Sequence, residues 1–206
     1  MQKKPLFIVQ LNPADYLTLL GLLFAGISIV QVIAGNFYLA ISFMFLGMFA
    51  DAFDGVISRK FGWASEFGRF LDGFVDVFNY LVVPLLFLYV SGLNDLISLI
   101  VIFIFMTSGI LRLSKFNMIG NIEEGDKLSY LGLPVFWSQF LVVILFLLSW
   151  YVPKNIFVIL SDLSLFGMSI CMILNRKFWK PQRYAVMILV MSAIIIWFFY
   201  LHFVRV

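Results

Sequence analysis

Histidine and cysteine are almost absent from this chain of 206 residues, with one of each, and only 12% of its residues are charged. The lone Cys171 rules out a disulfide framework and a thiolate metal site. His202, near the outer end of the last apolar span, is not assigned a catalytic part. A soluble domain carries about 25% charged residues, so this shortage excludes one of ordinary composition. The sequence shows no internal repeat and no low-complexity tract, and its length leaves no room for a separate soluble domain. What is abundant is apolar: 63% of residues are hydrophobic, including 25 Phe and 9 Met. The chain reads as an integral membrane protein, one domain over residues 1–206.

Seven apolar spans follow, each near the roughly 20 residues that cross a hydrocarbon core. Asn12 can cap the first, with Pro13 at its first position, and the helix runs to about Ala34, where Gly35 closes it. Asn36 can cap the second, which ends near Lys60. The third covers about Glu66 to Tyr89, with Pro84 a possible kink. The fourth runs from about Asp95 to Phe116 and is followed by a polar loop, "NMIGNIEEGDKLSY". The remaining spans cover about Gly132 to Val152, Asn155 to Leu174 and Pro181 to Phe203. The expected fold is an all-α polytopic bundle of about seven transmembrane helices (six to eight). An N-terminal interfacial segment, "MQKKPLFIVQLNPADY", precedes it.

Basic residues set the expected orientation. With the N-terminus in the cytoplasm, Lys3, Lys4, Arg59, Lys60, Arg69, Arg112, Lys115, Lys127, Arg176, Lys177, Lys180 and Arg183 lie inside. Only Lys154 and Arg205 lie outside. The cell membrane is the expected location, with the junction of helices two and three on the cytoplasmic side.

That junction holds the chemistry. "DAFDGVISRKFGWASEFGRFLDGFVD", from Asp51 to Asp76, carries four aspartates between two uncharged stretches, Phe37 to Ala50 and Val77 to Gly92. Asp51, Gly55 and Arg59 recur every fourth residue and share one helical face, with Asp54 beside Asp51; Gly68, Asp72 and Asp76 do the same on the next helix. A tight turn near Gly62 lets the two stripes face each other. The fourteen uncharged residues before Asp51 span roughly 21 Å of a core about 30 Å thick, so Asp51 and Asp76 sit below the headgroups. An aspartate at mid-helix costs about 2.5–3.5 kcal/mol on insertion scales. Arg59 and Arg69 cannot neutralise four aspartates and Glu66. One or two divalent cations supply the missing charge most simply, and carboxylates without His or Cys suit Mg²⁺, Mn²⁺ or Ca²⁺. Gly55 and Gly68 leave room for a bulky ligand beside the carboxylates, and Arg59 suits a phosphate. Together these describe a diphosphate site. A cation transporter would instead need carboxylates across the whole membrane depth, and here they cluster at one side.

The stretch resembles the signature of the CDP-alcohol phosphotransferases, D-x2-D-G-x2-A-R-x8-G-x3-D-x3-D. Asp51, Asp54, Gly55, Ser58, Arg59, Gly68, Asp72 and Asp76 keep every spacing, with Ser58 in place of the usual alanine. The resemblance implies two metals, Mg²⁺ or Mn²⁺, held by Asp51, Asp54, Asp72 and Asp76, with Asp76 also the general base. It implies that Gly55, Ser58, Arg59 and Gly68 line the CMP part of a CDP-lipid such as CDP-diacylglycerol. It also implies a homodimer in the bilayer with one complete site per protomer, and no nucleic-acid partner. "SEFGRFLDGFVD", "RLSKFN" and "YLGLPVF" are similar to stretches of the phosphatidylserine synthase branch. That branch implies L-serine as the acceptor, with Arg112, Lys115 and Asn117 near it. Gly73, where that branch has serine, "VFNYLVVP" and Phe136 depart from the pattern. "NYLVVP" looks somewhat like phosphatidylcholine synthases, so choline, inositol phosphate and glycerol 3-phosphate stay open as acceptors. Asp162, within the sixth span, matches nothing assigned in the family.

Overall fold

A computed structural model describes residues 8–120, 122–124, 127–179 and 184–205. Lys3, Lys4, Asp126, Lys180, Pro181, Arg183 and residues 1–7 of the expected interfacial segment lie outside them. Among the described residues seven helices run in chain order: α1 (Pro13–Ile33), α2 (Phe37–Phe61), α3 (Glu66–Ser91), α4 (Leu96–Ile119), α5 (Trp137–Leu148), α6 (Lys154–Ile173) and α7 (Tyr184–Arg205). All except α5 are long and apolar enough to cross a membrane. This is a multi-pass membrane bundle.

Local chemistry accounts for most boundaries. The Asn12 side chain accepts from the amides of Ala14 and Asp15 while Asp15 accepts from the Asn12 amide, a reciprocal cap with Pro13 at the first position. Asn36, expected to cap α2, makes no such bond; its amide donates to Gln31 Oε1 at 2.9 Å instead, tying the turn back to α1. Gly62 ends α2 in the left-handed conformation (φ 70°). Ser65 then caps α3, accepting from the Gly68 amide at 2.9 Å.

Three other expectations are corrected. The polar loop after α4 forms a hairpin, β1 (Ile122–Glu124) with β2 (Lys127–Leu131). β3 (Lys177–Trp179) joins β2 to make a three-stranded antiparallel sheet at the end of α4. Helix α5 starts at Trp137 rather than Gly132, because the Gly132 and Leu133 amides are committed to the carbonyls of Arg176 and Cys171. And Pro84 leaves α3 continuous but induces a π-turn over Phe78–Val82. Having no N–H, Pro84 cannot serve the carbonyls one turn before it. Those of Tyr80 and Asn79 are instead taken by Ser138 Oγ (2.6 Å) and Gln139 Nε2 (3.0 Å) of α5.

Lipid tails are as apolar as the side chains, so close packing and hydrogen bonds hold such a bundle together. Helices α1 and α2 meet through small residues, with Ser28 donating to the Ala40 carbonyl at 2.7 Å. Helix α6 packs on α4, α7 on α2, and α3 is held among α1, α4 and α5. Phe45, Phe87, Phe105 and Phe198 are fully buried between them. Asp162 pairs within the bundle: Ser98 Oγ lies 3.0 Å from its carboxylate and 3.1 Å from that of Asp95, which caps α4. At that exposed cap, hydrogen bonds from Ser98 and Ile97 hold the Asp95 carboxyl below its ordinary pKa.

Candidate active site

After the Gly62 turn α3 runs back from the end of α2, packed on α1 and α4, and the two aspartate stripes line one cavity. Oxygens of Asp51, Asp72 and Asp76 lie within 4.8 Å of one another. The cavity, about 200 Å³, is also lined by Asp54, Gly55, Arg59, Tyr80, Arg112, Phe116 and Tyr130. A second cavity of about 280 Å³ adjoins it. It shares Asp54, Gly55, Arg59 and Asp72 with the first and adds Ser58, Gly68, Arg69, Asp15 and Thr18. Asp54 and Asp72 thus stand where the two chambers meet.

Neighbours fix each side chain. Asp54 is buried and accepts from Thr18 Oγ1 of α1 at 2.5 Å. Asp51 accepts from the Tyr80 hydroxyl, also at 2.5 Å. The Arg59 guanidinium folds back along α2 over Gly55, where a Cβ would come within 3.4 Å of Nη1. A Cβ on Gly68 would sit 2.8 Å from an oxygen of Asp15, so that glycine admits α1 to the wall of the second chamber. The Asn12 amide, donating to the Trp63 carbonyl at 3.1 Å, clips the start of α1 to the turn between the stripes.

The donor set suits a hard divalent cation. It is made of carboxylate oxygens, with neither His nor Cys among the lining residues. One oxygen of Asp76 is buried without a hydrogen-bond partner. A buried acceptor in that state calls for a proton or a cation.

Of the three residues expected near the acceptor, only Arg112 lines this cavity. It is buried, with its guanidinium 4.9 Å from the Phe116 ring centroid and 5.5 Å from that of Tyr130, and its Nε has no hydrogen-bond partner. Lys115 is exposed and lines a separate cavity behind Arg112. Asn117 packs its amide against Gly73, where any Cβ would overlap it. A serine at position 73 would therefore require the Asn117 side chain to turn away. The sequence reading missed Thr18, Asp15, Tyr80 and Tyr130. Tyr80 was within reach, since it extends the spacing of four from Gly68 through Asp72 and Asp76. Thr18 and Tyr130 are joined to the site only by folding.

Comparison with known proteins points the same way. The family model of the CDP-alcohol phosphatidyltransferases matches residues 11–204. The CDP-diacylglycerol–serine O-phosphatidyltransferase of Bacillus subtilis is 32% identical over 161 residues, 77% of this chain and 85% of the relative. The protein of the same name from Methanocaldococcus jannaschii is 30% identical over 122 residues, 59% of this chain and 54% of the relative; the chain thus spans only about half of that longer protein. The phosphatidylcholine synthase of Borreliella burgdorferi is 26% identical over 170 residues, 79% of this chain and 67% of the relative. With its carboxylates gathered at the mouth of a helix pair and nearly its whole length matched, the chain belongs to the CDP-alcohol phosphatidyltransferase family.

Proposed function

We propose that this enzyme transfers the phosphatidyl group of CDP-diacylglycerol, or the matching group of a CDP-archaeol-like lipid, to the hydroxyl of L-serine, releasing CMP. The observation that carries the reading is the single cavity in which the Asp51, Asp72 and Asp76 oxygens face a buried arginine with an unused donor.

Asp51, Asp54, Asp72 and Asp76 would hold two Mg²⁺ or Mn²⁺ ions. Such ions, when bound, neutralise the diphosphate and stabilise the departing CMP. The second chamber, with Gly55, Ser58, Arg59 and Gly68, takes the CMP part, Arg59 pairing with a phosphate. Arg112, fixed on two aromatic faces, receives the serine carboxylate. Asp76 accepts the hydroxyl proton as the oxygen attacks the β-phosphorus. Lys115 and Asn117 position α4 rather than touch the acceptor. The N-terminus and the site face the cytoplasm, as the basic residues favour, and the protein works as a homodimer whose sites are each complete in one chain. A second reading keeps the chemistry and changes the acceptor; the phosphatidylcholine synthase among the relatives favours choline there.

The test is CMP release by purified protein from CDP-diacylglycerol with Mn²⁺ and one alcohol at a time. Release with serine alone is expected. Release with choline, inositol phosphate or glycerol 3-phosphate but not serine overturns the acceptor and leaves the phosphotransfer standing.

A further inference from the structure

We infer that Tyr80 is a positioning residue for the carboxylate cluster, aimed by the π-turn of α3 and held there by Ser138 and Gln139 of α5; this rests on the metal-holding role proposed above for Asp51. Tyr80 is 2% exposed, lines the aspartate cavity and donates its hydroxyl to Asp51 Oδ2 at 2.5 Å. Side chains on a helix lean toward its N-terminus, which on α3 is the direction of Asp76 and Asp72. In an ordinary α-helix a residue four positions on drifts around the axis relative to the first. The π-turn closes over one residue more, from the Val83 amide to the Phe78 carbonyl, so each residue within it rotates less and Tyr80 stays in line above Asp76.

The turn needs outside support because Pro84 donates nothing to it. Ser138 Oγ on the Tyr80 carbonyl and Gln139 Nε2 on the Asn79 carbonyl provide that support from residues that are themselves 2% and 0% exposed. The hydroxyl fixes one lone pair of Asp51, whose carboxylate stands in one cluster with those of Asp72 and Asp76. This is how an outer-shell donor sets the orientation and affinity of a ligating carboxylate, and losing such a partner typically weakens metal binding about 10–100-fold.

The experiment measures Mn²⁺ binding to the purified full-length chain by electron paramagnetic resonance of the free ion. Tyr80→Phe keeps the ring and its packing and removes only the donor. It is expected to raise the Mn²⁺ Kd about 10–100-fold while the melting temperature stays near that of the wild type. Gln139→Leu is expected to weaken binding in the wild-type background and to add little on top of Tyr80→Phe, the pattern of two residues acting through one contact. Tyr80→Phe binding Mn²⁺ as tightly as the wild type overturns the role of Tyr80 alone. Full additivity of the two substitutions overturns the link through the π-turn. A wild-type chain with no saturable Mn²⁺ site overturns the metal reading of the aspartates, and this inference with it.

Discussion

Gly132→Ala tests whether the loop that closes the cavity is held by backbone contact. Gly132 has φ 72°, and a Cβ there would overlap the Met172 carbonyl oxygen and lie 3.1 Å from its carbon. Neither is the end of a flexible side chain; both belong to α6. Gly35, at the opposite end of the bundle, has φ 78° and nothing within 4 Å of its would-be Cβ. Alanine in the left-handed region costs about 1–2 kcal/mol at either position. Only Gly132→Ala adds the steric part, about 1–3 kcal/mol for overpacking. The difference between the two variants is therefore the steric part alone. For a chain of this length each kcal/mol moves the melting temperature about 2–4 °C, so Gly132→Ala should melt about 2–12 °C below Gly35→Ala. The effect should also reach the site. Gly132 joins β2, which carries Tyr130 under Arg112, to Pro134, Val135 and Phe136 of the cavity wall. Thermal unfolding in detergent, paired with CMP release, reads both. Equal melting temperatures and equal activities for the two variants would refute the close approach of the loop to α6.

Chelation should abolish CMP release, and either Mg²⁺ or Mn²⁺ should restore it; full activity in excess EDTA would sink the metal assignment. Arg59→Ala should raise the KM for the CDP-lipid, and Gly55→Leu should do so more severely by filling the space under the guanidinium, both read by initial rates. Arg112→Ala should raise the KM for serine more than that for the CDP-lipid, whereas Asp76→Asn should lower kcat by about 10²–10⁴ with little change in either KM. Mixed protomers of Asp51→Ala and Asp76→Ala should stay inactive, because each site is read as complete in one chain; recovered activity would mean a shared site.

The membrane class, the helical bundle and the aspartate stripes were legible in the sequence because each depends on near neighbours along the chain. Helical periodicity places residues four apart on one face whatever surrounds the helix, so Asp51, Gly55 and Arg59, and Gly68, Asp72 and Asp76, could be aligned from spacing alone. The Asn12 cap and the Gly62 turn were legible for the same reason: their partners are a few residues away. Asn36 failed locally: it is a good capping residue, but its side chain turns back to Gln31 at the end of α1. The other failures were decided by distant contacts. Pro84 signals a disturbed helix, but that it yields a π-turn rather than a bend depends on Ser138 and Gln139, over fifty residues further on. Arg112 and Lys115 looked like a pair because they stand one turn apart. The fold turns Arg112 toward the aspartates, where Phe116 and the β2 residue Tyr130 stack on it, and leaves Lys115 in the cavity behind. The hydroxyls that hold the carboxylates come from Thr18 on one helix and Tyr80 on another. The sequence by itself thus determined which carboxylates gather at the candidate site and on which helical faces they stand. Tertiary structure alone decided which neighbours hold and aim them, since a hydrogen bond between helices depends on how those helices cross, and no local pattern encodes that crossing.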